Sequence, residues 1–177
     1  MKIEATSIPG LFYVAVTARA DERGLFARTY CALEFEAAGT GFGPIRQTSL
    51  SANARCWTLR GMHWQAAPAR EGKLVRPARG RIFDVVIDLR PDSPAFRRWY
   101  GKVLDAGLHE ALLIPPLCAL GFLTLEDETL VEYAMDCDFS PEHSRGVRFD
   151  DPAFGIEWPA APAVISERDR SYPDYAA

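Results

Sequence analysis

Apolar residues in this chain fall in short runs, each cut off by glycine, proline or clustered charge, and no window of helical length carries a convincing apolar stripe. LFYVAVT at 11–17 reads as a strand, Asp21 to Gly24 as a turn into LFARTY, and CALEFEAA at 31–38 as a short helix ended by Gly39. IRQTSLSAN at 45–53 has the spacing of a strand but is polar, which suits the wall of a cavity better than a core. Two strands at 72–76 and 80–89 are expected to be separated by Pro77, Ala78, Arg79 and Gly80. The second alternates clearly: Phe83, Val85, Ile87 and Leu89 point one way, and Ile82, Asp84, Val86 and Asp88 the other. Asp84 therefore belongs at a sheet edge or in a polar cavity, unless that face is simply solvated. Further short apolar segments at 97–103, 109–115, 120–126 and 129–136 complete the pattern of an all-β barrel or sandwich with short peripheral helices. The proline-punctuated segment after SPEHSRG is expected to wrap the sheets.

The chain is 177 residues long and carries a net charge of -4. That length fits a single domain, 1–177, able to bury a sizeable core. The charge argues against a nucleic-acid surface, because acidic residues break up the Lys and Arg. Cys31, Cys56, Cys118 and Cys137 are widely spaced and form no CxxC pair, so reduced thiols are expected. No stretch reaches membrane-spanning length and MKIEATSIPGLF lacks the features of a secretory leader, which points to a cytoplasmic protein without membrane partners.

Residues 56–75, CWTLRGMHWQAAPAREGKLV, gather the chemistry. Arg60 offers a permanently charged fork suited to phosphate oxygens, and Lys73 a compact charge suited to a developing oxyanion. Either would be unremarkable as a surface charge. Strict alternation would put Arg60 and His63 on opposite faces, so a shared site needs a bulge, for which Gly61 is the residue able to supply the backbone. His63 can take a proton near neutral pH if a carboxylate fixes its other ring nitrogen, and Asp84 and Asp169 are both candidates. Tyr133 shares a strand face with Val131 and Met135. It is a core aromatic or, opposite His63, the acid that returns a proton to the far side of a carbon. The only histidines are His63, His109 and His143, without HxH or HExxH spacing, and nucleotide-binding and serine-hydrolase motifs are absent as well.

With DERGLF at 21–26, LRGMHWQ at 59–65, GKLVR at 72–76, GRIFDVVIDLR at 80–90, LGF at 120–122, SPEHSRGVRFDDPAFGIEWP at 140–159 and SERD at 166–169, the chain resembles the dTDP-4-dehydrorhamnose 3,5-epimerase family. That resemblance implies a cupin-like jelly roll and a homodimer without metal or organic cofactor, acting on a nucleotide-diphosphate-linked 4-keto-6-deoxyhexose. By the same resemblance His63 is the base, Asp169 its partner, Tyr133 the opposing acid and Lys73 the residue beside the C4 oxygen. Arg60 and Arg23 then resemble diphosphate or substrate contacts, Gln47 and Phe26 residues near sugar or nucleotide, and Asp84 a support of the pocket. The chemistry is coherent in itself, since a C4 ketone acidifies the hydrogens on C3 and C5 and needs no redox cofactor.

Departures from the family pattern cluster near the expected pocket. Leu120 stands where a histidine is usual, Ser49 where an amide is usual, Phe139 where a second tyrosine is common and Arg28 where glutamate is frequent. They imply altered recognition of sugar or nucleotide, or inversion at one carbon instead of two. A 3-only epimerase, a 3,4-ketoisomerase and a non-catalytic nucleotide-sugar binding protein remain the alternative readings.

Overall fold

Thirteen strands, the longest of eight residues, carry the architecture of the computed structural model, which describes residues 1–176. They are β1 (Lys2–Ala5), β2 (Phe12–Ala15), β3 (Arg19–Asp21), β4 (Gly24–Phe26), β5 (Gln47–Asn53), β6 (Leu59–Gln65), β7 (Lys73–Arg79), β8 (Arg81–Asp88), β9 (Trp99–Asp105), β10 (Glu110–Ile114), β11 (Cys118–Thr124), β12 (Thr129–Met135) and β13 (Ser144–Gly146). Two short helices, α1 (Ala32–Ala37) and α2 (Glu167–Arg170), lie at the periphery. A six-stranded sheet ordered β1-β2-β10-β7-β12-β5 faces a five-stranded sheet ordered β13-β6-β11-β8-β9, and β3 with β4 forms a separate ribbon. This is a β sandwich, one of the two forms expected from the run of short apolar segments, in the jelly-roll arrangement that the family resemblance implied.

The two-residue period of β8 explains its place. Ile82 and Val86 enter the core between the sheets with Val75, Leu112, Ile114 and Val131. Phe83, Val85, Ile87 and Leu89 point outward and are covered by Val147, Phe154, Ile156 and Trp158 of the C-terminal segment. Both faces of the strand are thus buried. Asp84 lies on the inward face of a strand flanked by β11 and β9, and is fully buried. It is neither at an edge nor solvated.

One expected break does not occur. β7 runs on through Pro77 to Arg79, leaving Gly80 as the corner where the chain passes from one sheet to the other. β10 pairs with β7 only as far as Val75, so the N–H that proline lacks is not missed by that neighbour. A register shift between Leu130 and Val131 accommodates the local irregularity.

The C-terminal segment returns across the mouth of the sandwich. Leu59 N–H donates to the Val164 carbonyl at 2.8 Å and Ala163 N–H to that of Trp57 at 2.8 Å, which brings α2 against β6. All four cysteines are free thiols, and burial pushes the Cys118 thiol up to about 12. Among the described residues no helix is long and apolar enough to cross a membrane.

Candidate active site

The site is built on a bulge. On β6, Arg60 is opposite Phe122 and His63 opposite Leu120, so Gly61 and Met62 together face the single residue Gly121. Gly61 has φ +122, a conformation open to glycine. A Cβ there would stand 2.4 Å from Gly121 Cα and 2.7 Å from the Leu120 carbonyl oxygen, so the two strands can approach only because the side chain is missing. The extra residue resets the alternation. Met62 turns outward into the cluster beneath the C-terminal segment, while Arg60 and His63 both turn into a cavity of about 620 Å³.

His63 Nε2 lies 2.6 Å from Asp169 Oδ1, and the Gly61 N–H donates to Asp169 Oδ2 at 3.3 Å. The bulge therefore aims the imidazole and also binds the carboxylate that orients it. Ser166 caps α2 by accepting from the Asp169 N–H at 3.1 Å, which fixes Asp169 in the first turn. Burial opposes ionisation of Asp169, but the bond and charge of His63 and the bond from Gly61 outweigh it and hold the carboxyl below its ordinary range. Of the two candidate partners of His63, the structure selects Asp169.

Tyr133 on β12 and Lys73 on β7 line the same cavity from the opposite sheet. Burial, reinforced by Asp84 and opposed by Arg60, raises the Tyr133 phenol above its ordinary value, so it stays protonated at neutral pH and can donate. Lys73 Nζ is paired with the Glu71 carboxylate. Arg60 donates from Nε to Asn53 Oδ1 at 2.8 Å, and Asn53 is itself held by the Thr129 carbonyl at 3.2 Å. Ser49 on β5 and Leu120 on β11 also contribute to the wall, as the polar character of 45–53 implied for the former. Asp84 lies behind this wall with both carboxyl oxygens unpartnered, and burial holds it well above the usual carboxylate range.

Besides Asp84, five of the expected residues stand outside this cavity. Arg23, Phe26 and Arg28 belong to or follow the β3–β4 ribbon, whose strands pair only with each other. Arg23 is bound to Asp21 at 2.6 Å, Arg28 to Glu34 at 3.4 Å, and Phe26 is 73% exposed. Gln47 turns its amide to the Cys137 carbonyl at 3.1 Å, and Phe139 is exposed after β12. Conversely, Glu71, Ser51, Ser166 and Arg168 line the cavity without having been singled out. The S-x-x-D spacing of 166–169 is a local helix-start signal that could have drawn attention to the last two. Among the described residues no three His, Cys, Asp or Glu side chains converge as metal ligands do.

The arrangement can move protons. An imidazole backed by a carboxylate faces, across the space between two sheets, a phenol that keeps its proton, with an ammonium on the phenol's side. Such a cavity can deprotonate a carbon acid at one face and reprotonate it at the other.

Residues 5–177 match the family model described as dTDP-4-dehydrorhamnose 3,5-epimerase. A dTDP-4-dehydrorhamnose 3,5-epimerase of Sinorhizobium fredii is 38% identical over 154 residues, 86% of this chain and 78% of the relative. A crystal structure of the Bacillus anthracis dTDP-4-dehydrorhamnose 3,5-epimerase with TDP and PPi bound superimposes with a TM-score of 0.94 at 34% identity, covering 98% of this chain and 99% of the other. A dTDP-4-dehydrorhamnose 3-epimerase of Streptomyces niveus is 34% identical over 173 residues, 96% of this chain and 82% of that one.

Proposed function

The chain belongs to the dTDP-4-dehydrorhamnose 3,5-epimerase family, and from that premise we propose that it inverts C3, C5 or both of a dTDP-linked 4-keto-6-deoxyhexose by proton removal and return. The observation that carries this reading is the His63–Asp169 pair facing Tyr133 from the other sheet, with Lys73 in the same cavity. His63 takes the proton α to the ketone and Asp169 stabilises the imidazolium. Charge moves to the C4 oxygen, where Lys73 stabilises the enolate. A preorganised donor at such a point contributes roughly 3–4 kcal/mol by analogy with oxyanion holes. Tyr133 then returns a proton from the opposite face. Arg60, held by Asn53, is placed to receive a diphosphate oxygen.

Inversion at C3 alone is the second reading, supported by the 3-epimerase among the relatives and by Leu120 beside His63 in register. Incubation of a dTDP-4-keto-6-deoxy sugar in D2O separates the two. Deuterium at C3 and C5 supports double inversion, deuterium at C3 alone the restricted enzyme, and none across a panel of such sugars refutes the assignment.

We further infer that the working unit is a homodimer. Arg23, Phe26 and Arg28 stand apart from their own chain's cavity, and the ribbon exposes Leu25 and Phe26 at 60% and 73%. A second copy would both cover that apolar surface and give those residues a site to serve. Light scattering coupled to size exclusion tests this, and a monomer at working concentration would overturn it.

A further inference from the structure

We propose that Glu71 is a specificity-determining residue, whose carboxylate accepts a hydrogen bond from the substrate hydroxyl on the carbon next to the ketone. The inference rests on reading the cavity as a 4-keto sugar site.

Glu71 is only 7% exposed yet lines the cavity, and its counter-charge is Lys73, two residues on. Gly72 between them is pinned by its N–H, which donates to Asp136 Oδ1 at 2.7 Å. The backbone holds both side chains on one face at the entry to β7. A carboxylate at this depth needs a partner to remain charged, and Lys73 supplies one.

A purely structural ion pair would have its remaining lone pairs capped by protein donors. Asp88, also buried, illustrates the case: it accepts from Arg90 Nε at 2.8 Å, Arg90 Nη2 at 2.7 Å, the Arg90 backbone N–H at 3.0 Å and Ser93 Oγ at 2.5 Å. Glu71 has no such set. Among the described residues no donor other than the Lys73 ammonium reaches it, so acceptor capacity remains at the cavity wall.

The chemistry of that capacity is selective. A ketone oxygen seated on the Lys73 ammonium brings the substituent of the adjacent carbon next to the group that Lys73 already holds. Glu71 can accept from a hydroxyl there, but it can form no hydrogen bond with a methylene and repels a second carbonyl or an ether oxygen. In a 4-keto-6-deoxyhexose the C3 side carries a hydroxyl, whereas the C5 side carries the ring oxygen and a methyl. Glu71 thus also decides which way round the sugar sits on Lys73.

The test uses the intact protein, its Glu71→Gln variant, and two dTDP-linked 4-keto-6-deoxy sugars that differ only in a hydroxyl or a hydrogen at C3. Deuterium uptake beside the ketone gives kcat/KM for each, and melting curves check that the variant folds. Loss of Lys73's counter-charge affects both sugars alike and cancels in the ratio of the two values. We expect the wild type to favour the hydroxylated sugar, and Glu71→Gln to lower that preference by about tenfold or more, the size of a charge-assisted hydrogen bond. Equal use of both sugars by the wild type, or an unchanged preference in the variant, overturns the role of Glu71 while leaving the epimerase reading intact. Failure of the wild type to exchange either sugar overturns both.

Discussion

Replacing Gly61 by alanine tests the bulge on which the site is built, and Gly24 provides an internal control. Both glycines have φ +122, so alanine meets backbone strain of the same order at either position, about 1–3 kcal/mol. Both substitutions also restrict the unfolded chain alike, which offsets about 0.4–1 kcal/mol. They differ in what the new methyl meets. At Gly24 nothing of its own chain lies within 4 Å, whereas at Gly61 the methyl would stand 2.4 Å from Gly121 Cα and 2.7 Å from the Leu120 oxygen. These are backbone atoms of β11, which cannot swing aside as a side chain would, and overpacking of that kind adds about 1–3 kcal/mol. Gly61→Ala should therefore be destabilised beyond Gly24→Ala by that last amount, a large part of the roughly 5–15 kcal/mol that holds a domain together. Urea titration followed by circular dichroism gives both values, and deuterium exchange measured on the folded fraction gives activity. Exchange should fall sharply in Gly61→Ala, because Arg60, His63 and the N–H that holds Asp169 all depend on the bulge. Equal midpoints for the two variants, or full exchange in Gly61→Ala, would refute the argument.

Asp169→Asn should lower kcat by about 10²–10⁴-fold, measured by product formation, with a smaller change in KM, because the imidazolium loses its counter-charge. Since the Asp169 carboxyl is held below its ordinary range in the fold, its contribution to stability is present above that range and lost as pH falls through the lowered value. Urea midpoints of Asp169→Asn should accordingly fall less steeply than wild type below about pH 4. Tyr133→Phe should uncouple exchange from inversion: His63 still passes deuterium at its own face, while epimer formation, followed by NMR, is lost. Asp84 has the opposite sign. Its raised value favours the folded chain most below the ordinary carboxylate range and progressively less as pH rises toward that value. Asp84→Asn, which keeps the shape without the ionisation, should therefore flatten the decline of urea midpoints as pH rises above the ordinary carboxylate range, and a parallel decline in the variant would show that Asp84 does not cause it.

Much of the frame was legible because a two-residue period reports directly on which face is buried. The alternation in β8 placed its inward and outward residues correctly, and the polar run at 45–53 became a cavity-lining strand. The bulge was legible too, since two side chains meant for one site had the wrong parity and only glycine lay between them. The break expected at Pro77 failed for a non-local reason. A proline is tolerated in β7 because β10 stops pairing before reaching it, and where a neighbouring strand ends is not written in β7 itself. Glu71 was passed over because it precedes the strand, where a charge looks like part of a loop; its burial comes from the cavity that other elements close around it.

Residue pattern alone left Asp84 and Asp169 both open as partners of His63; the family resemblance pointed to Asp169, and the fold gives the physical reason. Asp84 sits in the most regular strand of the chain, and the residue pattern gave it the same standing as Asp169. That same regularity sends it inward among Ile82 and Val86, behind the cavity wall, where no donor reaches it. Asp169 comes from a segment without periodicity, 106 residues from His63, and reaches the imidazole because the chain after Val164 is tied to β6 and Ser166 starts a helical turn there. The acid in the ordered strand is thus the one whose ionisation burial opposes, and the one whose charged form is favoured is delivered by the returning tail. Activity should consequently depend on the anchoring of 163–170 as strongly as on the strands. Ser166→Ala, which removes the α2 cap and costs about 0.5–2 kcal/mol locally, should lower kcat with little change in the global urea midpoint. A variant with normal turnover would mean that Asp169 is held by something other than the turn that carries it.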